Sequence, residues 1–180
     1  IVLGKGSNIL FPDDRLDAVV IKLCDDNFKE IEKDKGKVKV GAGATLSSFI
    51  SFCAEEGLAG VEGLVGIPGT VGGALYMNAS HETTISDRLL KMYVIDKKGS
   101  GEWMDKEKIE FGYRYSSIKK EGIIVEAVFD LVEDSPENTK KRVSELLSGK
   151  VRSQPLNEKT LGCVFKNPME TSSMSSGELI

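Results

Sequence analysis

Histidine is almost missing: the sequence of 180 residues has one, His81. A single imidazole cannot build a multi-histidine metal cluster, and it leaves little room for a histidine-based triad. His81 reads as a polar loop residue. Cysteine is scarce too, with Cys24, Cys53 and Cys163 an odd number at wide spacing. That pattern fits neither a disulfide framework nor a CxxC metal site, and it points to a reducing compartment. Cys24 and Cys53 read as small buried apolar residues. Long hydrophobic runs are also lacking. The stretch from Ile123 to Val132 is interrupted by Glu126 and Asp130, far short of the roughly 20 apolar residues a membrane span needs. Charge of one sign is absent as well, with 29% charged residues and a net charge of -4, so the basic footprint needed to hold a phosphate backbone is not there. Nucleic acid and membrane are therefore excluded as expected partners. No charged-then-apolar leader opens the chain, and a start at Ile1-Val2-Leu3 without methionine reads as a missing beginning. The expectation is a cytoplasmic protein with no obligate protein partner.

What is present is enough for a core. With 40% apolar residues, the chain can bury one full lobe plus part of another. Ile1–Leu3 reads as a buried strand feeding the glycine turn Gly4-Lys5-Gly6-Ser7-Asn8, and Asp17–Leu23 as a second strand. Lys37–Val40 alternates Lys with Val, the pattern of a half-exposed strand. From Thr45 to Glu56, Leu46, Phe49, Ile50, Cys53 and Ala54 recur at three- and four-residue spacing, predicting a helix capped by Thr45 and stopped by Gly57. Further strands are expected at Leu90–Asp96 and Ile123–Leu131, the first ending in the turn Lys97–Ser100. Glu133–Asn138, centred on Pro136, reads as a linker into a helix over Thr139–Leu147. Thr171–Ser176 reads as a loop before order resumes at Gly177–Ile180, and both ends look cut.

Glycine stands at positions 57, 60, 63, 66, 69 and 72. Collagen is excluded, since only Pro68 falls between them. So much glycine instead implies backbone that approaches something closely or takes positive φ. Glycine turns of this kind can cradle phosphate with their free amides. Gly4–Asn8 is no Walker A loop, and Gly41-Ala42-Gly43 lacks the third glycine of the dinucleotide fingerprint. The two loops GKGSN and GIPGTVGGALYMNA, taken together, carry the ligand argument.

Five motifs then occur in order: VLGKGSNIL at Val2–Leu10, GLAGVEGLVGIPGTVGGA at Gly57–Ala74 with Met77-Asn78-Ala79, FGYRYS at Phe111–Ser116, RSQP at Arg152–Pro155, and GCVFKNP at Gly162–Pro168. In these the chain resembles the UDP-N-acetylenolpyruvoylglucosamine reductase family, in its subtype without the extra tyrosine-bearing loop, because only Ile118–Ile124 separates the YRYS motif from the next strand. The resemblance implies an α+β fold: an FAD-binding domain of the vanillyl-alcohol-oxidase type plus part of an α+β substrate domain. Its divisions would be 1–23, the end of a first FAD subdomain, then 24–131, the second subdomain, and 140–180, the start of the substrate domain.

The resemblance also implies a cofactor, FAD, reduced by NADPH, and a substrate, UDP-N-acetylglucosamine enolpyruvate. Gly4, Gly6, Ser7, Asn8, Gly66, Ile67, Pro68, Gly69, Thr70, Gly72, Gly73 and Asn78 would line the cofactor. Tyr113, Arg152, Gln154, Lys166 and Asn167 would face the UDP-sugar. Arg114 would meet the enolpyruvyl carboxylate, its planar fork suiting that anion better than a lysine. Cys163 stands where the family usually has serine, and would deliver the proton. The glutamate that completes the family's catalytic set would lie beyond Ile180, so the 180-residue piece alone is expected to be inactive. Two alternatives stay open: another FAD oxidoreductase of this fold, or a non-catalytic flavin or nucleotide-sugar binder.

Overall fold

The computed structural model describes residues 1–120, 122–154, 162–168 and 174–180. These fall into two units, Ile1–Leu147 and Ser148–Ile180. The first holds nine strands: β1 (Ile31–Asp34), β2 (Lys37–Gly41), β3 (Leu58–Ala59), β4 (Leu89–Asp96), β5 (Gly101–Asp105), β6 (Phe111–Gly112), β7 (Tyr115–Ser116), β8 (Gly122–Asp130) and β9 (Val132–Glu133). Helices are α1 (Leu46–Glu55), α2 (Val71–Met77), α3 (Pro136–Ser153) and α4 (Ser176–Leu179). Five strands make one antiparallel sheet in the order β1-β2-β8-β4-β5.

The Lys/Val alternation of β2 buries Val38 and Val40 completely, and they pair with Phe129 and Ala127 of β8. Strict alternation would send Ile124 to the opposite face from Ala127. A register shift between Tyr93 and Val94 skips Val125 on β8, and this extra residue resets the pleat so that Ile124 is buried too. The skipped carbonyl is used, accepting from the Ala42 amide at 2.8 Å.

Helix α1 forms as expected. The Thr45 hydroxyl accepts from the Ser48 amide at 3.0 Å, Gly57 takes φ +64° just past the end, and the five predicted apolar residues are all buried. Phe49 meets Phe129 at 4.9 Å between ring centroids, seating α1 on the sheet.

Several expectations change. Ile1–Leu3 is not a buried strand, and Asp17–Leu23 forms no strand either; the two segments meet in one parallel bridge, Val2 with Ile21, with Ile1 and Val2 about half exposed. Among the described residues no layer covers that bridge. Cys24 is exposed, whereas Cys53 is buried and its thiol is pushed up to about 12 by burial. Pro136 is not the centre of a linker. It takes the first position of α3, where its missing N–H costs nothing, and the Ser135 hydroxyl accepts from the Asn138 amide at 3.2 Å. The helix therefore starts three residues before the expected Thr139 and ends well beyond Leu147. Of the expected loop at 171–176, residues 171–173 lie outside the described residues, Met174 and Ser175 are in no helix or strand, and α4 begins at Ser176.

Within the first unit, α3 is tied down by polar contacts. The Thr139 hydroxyl donates to the Ala54 carbonyl at 2.8 Å, and the Arg142 guanidinium reaches both Glu62 (3.0 Å from Nε) and Asp134 (2.7 Å). Asp134 also accepts from Asn138 Nδ2 at 2.9 Å and the Ser135 amide at 2.6 Å. Led by the Asn138 bond, these donors hold its carboxyl at about 2, below its ordinary 3.8. A folded value below the unfolded one means the stabilisation is complete above the unfolded value and is lost as pH falls toward about 2. Asp134→Asn should therefore lower stability by a constant amount above about pH 5, with the gap to wild type closing between about pH 4 and 2. Urea titrations across that range decide it; a gap that stays constant down to pH 2 would refute the assignment.

Candidate functional site: two glycine loops and an arginine hairpin

Thr70 organises the first part of the site. Its hydroxyl accepts from the Gly73 amide at 3.2 Å, capping α2. The helix is unexpected at Gly72-Gly73, because glycine is a poor helix former. Packing explains it. A Cβ on Gly72 would lie 2.8 Å from that of Ala42, so only glycine lets α2 come this close to the chain that leaves β2, where the Gly72 amide donates to the Ala42 carbonyl. Val71, Ala74 and Leu75 fill the core beneath.

The loop Gly4–Asn8 lies against this turn. Ser7 Oγ donates to the Pro68 carbonyl at 2.6 Å, and a Cβ on Gly4 would meet Thr70 Oγ1 at 2.7 Å. Glycine at position 4 is thus demanded by contact with the capping hydroxyl. Gly6 and Gly66 both have positive φ, at +80° and +73°. Ile67 packs on the core while Pro68, Gly6 and Asn8 are exposed. Two glycine turns 61 residues apart are therefore brought into direct contact.

Downstream, Asn78 ends α2 in the left-handed conformation, φ +45°. Its Nδ2 donates to the Gly112 carbonyl at 2.9 Å, while Oδ1 is buried with no donor among the described residues. Beside it, Ser116 Oγ donates to the Tyr76 carbonyl at 2.8 Å. These two bonds fasten the β6–β7 hairpin to the end of α2. At the hairpin tip stands Arg114, whose Nη1 donates to Ser80 Oγ at 2.9 Å and whose guanidinium lies 5.3 Å from the exposed Tyr113 ring. The sequence carried no signal for Ser80 or Ser116 as partners of this hairpin, since both pairings span more than 30 residues.

The second unit contains the remaining predicted residues. Arg152 and Gln154 are exposed at the end of α3. Cys163 is exposed and outside any strand, so it is no core cysteine. The Asn167 Oδ1 accepts from the Ser176 amide at 3.0 Å, and the Lys166 carbonyl accepts from Ser176 Oγ at 2.6 Å. Asn167 thus supports the start of α4. No group of three His, Cys, Asp or Glu side chains among the described residues is placed to hold a metal ion, and none of the described helices is long and apolar enough to cross a membrane.

A dinucleotide cofactor fits the first unit on its own terms: two abutting glycine turns present main chain to a ligand, and the buried Asn78 Oδ1 is an acceptor awaiting a donor. Comparison with known proteins agrees. Over 170 residues the chain is 40% identical to a UDP-N-acetylenolpyruvoylglucosamine reductase from Halalkalibacterium halodurans, covering 93% of this chain and 56% of that protein. It superimposes on the crystal structure of a UDP-N-acetylenolpyruvylglucosamine reductase from Thermus caldophilus with TM-score 0.87 at 36% identity, over 100% of this chain and 64% of that one. A 6-hydroxy-D-nicotine oxidase from Arthrobacter nicotinovorans shares the α+β fold, with TM-score 0.54 at 18% identity over 73% of this chain and 30% of its own. The chain spans little more than half the length of the curated relative. Residues 1–105 match the family model described as FAD binding domain. Because that match takes in more than half of the chain and both of the glycine turns that meet at Thr70, the chain belongs to the FAD binding domain family.

Proposed function

We propose that this chain is the cofactor-binding part, with the start of the substrate-binding part, of an enzyme that reduces UDP-N-acetylglucosamine enolpyruvate to UDP-N-acetylmuramate. The observation that carries the reading is the physical link between cradle and arginine: Thr70 caps α2, Asn78 ends it, and Asn78 holds the hairpin that presents Arg114. Likeness in sequence to a reductase of that name supports the same substrate. The division at 1–23, 24–131 and 140–180, the NADPH dependence, and a cytoplasmic setting belong to this proposal. So does the subtype: a short 3₁₀ turn at Ser117–Lys120 leads into β8, which opens at Gly122, and no tyrosine occurs between 117 and 155.

Bound FAD would supply the hydride after taking one from NADPH. The residues of the chain do the rest. Gly4, Gly6, Ser7, Asn8, Gly66, Ile67, Pro68, Gly69, Thr70, Gly72 and Gly73 would hold the cofactor along the two turns, and Asn78, with its buried Oδ1, would lie with them. Arg114 meets the enolpyruvyl carboxylate, an anion its planar fork suits, and stabilises the charge that builds there. Cys163 donates the proton. Tyr113, Arg152, Gln154, Lys166 and Asn167 face the UDP-sugar, the two cations suiting its diphosphate.

The full-length protein should purify yellow, bleach with NADPH, and regain its colour on addition of the enolpyruvyl substrate. Gly4→Val should weaken FAD binding by about tenfold or more, because a side chain there displaces the Thr70 hydroxyl that caps α2. A protein that never takes up flavin would remove the reading. One that bleaches but is not reoxidised by this substrate would be a different flavin oxidoreductase.

A further inference from the structure

Three non-glycine residues among those described have positive φ: Lys35, Asn78 and Arg114. Two are explained locally. Lys35 precedes Gly36 in the two-residue β1–β2 turn, where both central positions take positive φ. Asn78 is a helix-ending residue of a type that tolerates the left-handed region. Arg114, at φ +56°, is neither. It fills the second position of the Tyr113-Arg114 turn between β6 and β7, a place normally given to glycine or asparagine. A long branched cation kept in that conformation implies surrounding structure that holds it there.

The holder is visible. Lys119 Nζ donates to the Arg114 carbonyl at 3.3 Å. The same ammonium sits 5.2 Å from the ring centre of Tyr76 and 5.8 Å from that of Tyr115. A lysine in solvent loses side-chain freedom on such fixation, and here one carbonyl and two aromatic faces compensate. The 3₁₀ turn at Ser117–Lys120 returns the chain so that residue 119 faces residue 114. Lys119 therefore clamps the turn from its backbone side, while Ser80 receives the guanidinium on the other.

We infer that Lys119 is a positioning residue: its ammonium holds the Arg114 carbonyl and so maintains the left-handed turn that aims the guanidinium. The consequence for substrate rests on the proposed reading that Arg114 meets a carboxylate. Lys119 itself is not among the residues that hold cofactor or substrate in that reading.

The test uses the full-length flavin-loaded protein carrying Lys119→Met, Lys119→Arg, Arg114→Ala and the double variant. Calorimetry gives the affinity for UDP-N-acetylglucosamine enolpyruvate, and stopped flow gives flavin reoxidation by it. Lys119→Met should weaken substrate binding and slow reoxidation by about tenfold, a misplacement effect rather than loss of the group itself. NADPH bleaching should stay at the wild-type rate, which also reports an intact fold. Lys119→Arg should restore both to within about threefold. In the Arg114→Ala background, Lys119→Met should add less than about twofold, because residues acting as one unit are not additive. An equal penalty in both backgrounds would overturn the inference, since Lys119 would then act on substrate or fold directly. Should Lys119→Met fail to fold, Lys119→Gln takes its place. A crystal structure of either variant tests the role independently of kinetics: Arg114 unchanged in φ and still on Ser80 defeats it. If Arg114→Ala leaves binding and reoxidation at wild-type values, the reductase reading fails, and the crystallographic result still decides the role of Lys119.

Discussion

Cys163→Ala in the full-length protein is expected to keep flavin reduction by NADPH and to lose reoxidation by the enolpyruvyl substrate by about 10² to 10⁴ fold, the usual worth of a general acid. A thiol is a far stronger acid than an alcohol, so it gives a proton more readily to a developing carbanion. Exposure matters equally. Cys163 is open to solvent and outside any strand, whereas Cys53 is buried and its thiol resists ionisation. On the proposed reading the proton donor is therefore Cys163, and Cys53 is a packing residue. Cys163→Ser should retain much of the activity, since the hydroxyl occupies the same position. Peroxide should inactivate wild type but spare the serine variant, as sulfur climbs the oxidation ladder and oxygen does not. Cys24 is exposed as well, so Cys24→Ala is the control that should remain peroxide-sensitive. Stopped-flow reoxidation at the wild-type rate in Cys163→Ala would mean that the proton comes from another group.

Phe49→Ala carries the largest expected effect on the fold. Phe49 and Phe129 are fully buried, tilted 41° to one another, and together join α1 to the middle strand of the sheet. Truncating such a phenylalanine costs about 3 to 5 kcal/mol, the lost transfer energy plus the cavity left behind. For a domain of this size that corresponds to a fall in Tm on the order of 10 °C. Ser51 lies on the exposed side of the same helix, and Ser51→Ala should stay within about 0.5 kcal/mol of wild type. Differential scanning calorimetry compares them; a Phe49→Ala melting temperature within about two or three degrees of wild type would mean that α1 is not seated through this pair.

Local chemistry makes much of the fold legible. Helix α1 can be read to within a residue because cap, apolar spacing and terminal glycine agree over one short segment. Strand β2 is legible through its Lys/Val alternation, and β4 and β8 through their apolar runs. The strands β1 and β5 are not. Ile31–Asp34 and Gly101–Asp105 are short and largely polar or exposed, and they are strands because a neighbour offers them hydrogen bonds. Helix α2 is hidden behind Gly72-Gly73, whose poor propensity is overridden by burial of Val71, Ala74 and Leu75. Pro136 suggests a linker by its residue type, yet it opens a helix because Ser135 before it supplies the cap.

The sequence by itself determined the family resemblance, the two glycine turns and the residue types at the candidate site, since these depend on what each residue is. It could not determine which of them meet. Ser7 finds Pro68, Asn78 finds Gly112, and Arg114 finds Ser80 across separations of 34 to 61 residues. Such pairings carry no local signal, because they arise only when the sheet and α1 close around one core and bring distant turns to the same place. The exposed Val2–Ile21 bridge and the left-handed Arg114 follow the same rule. Each is set by what stands beside it in space.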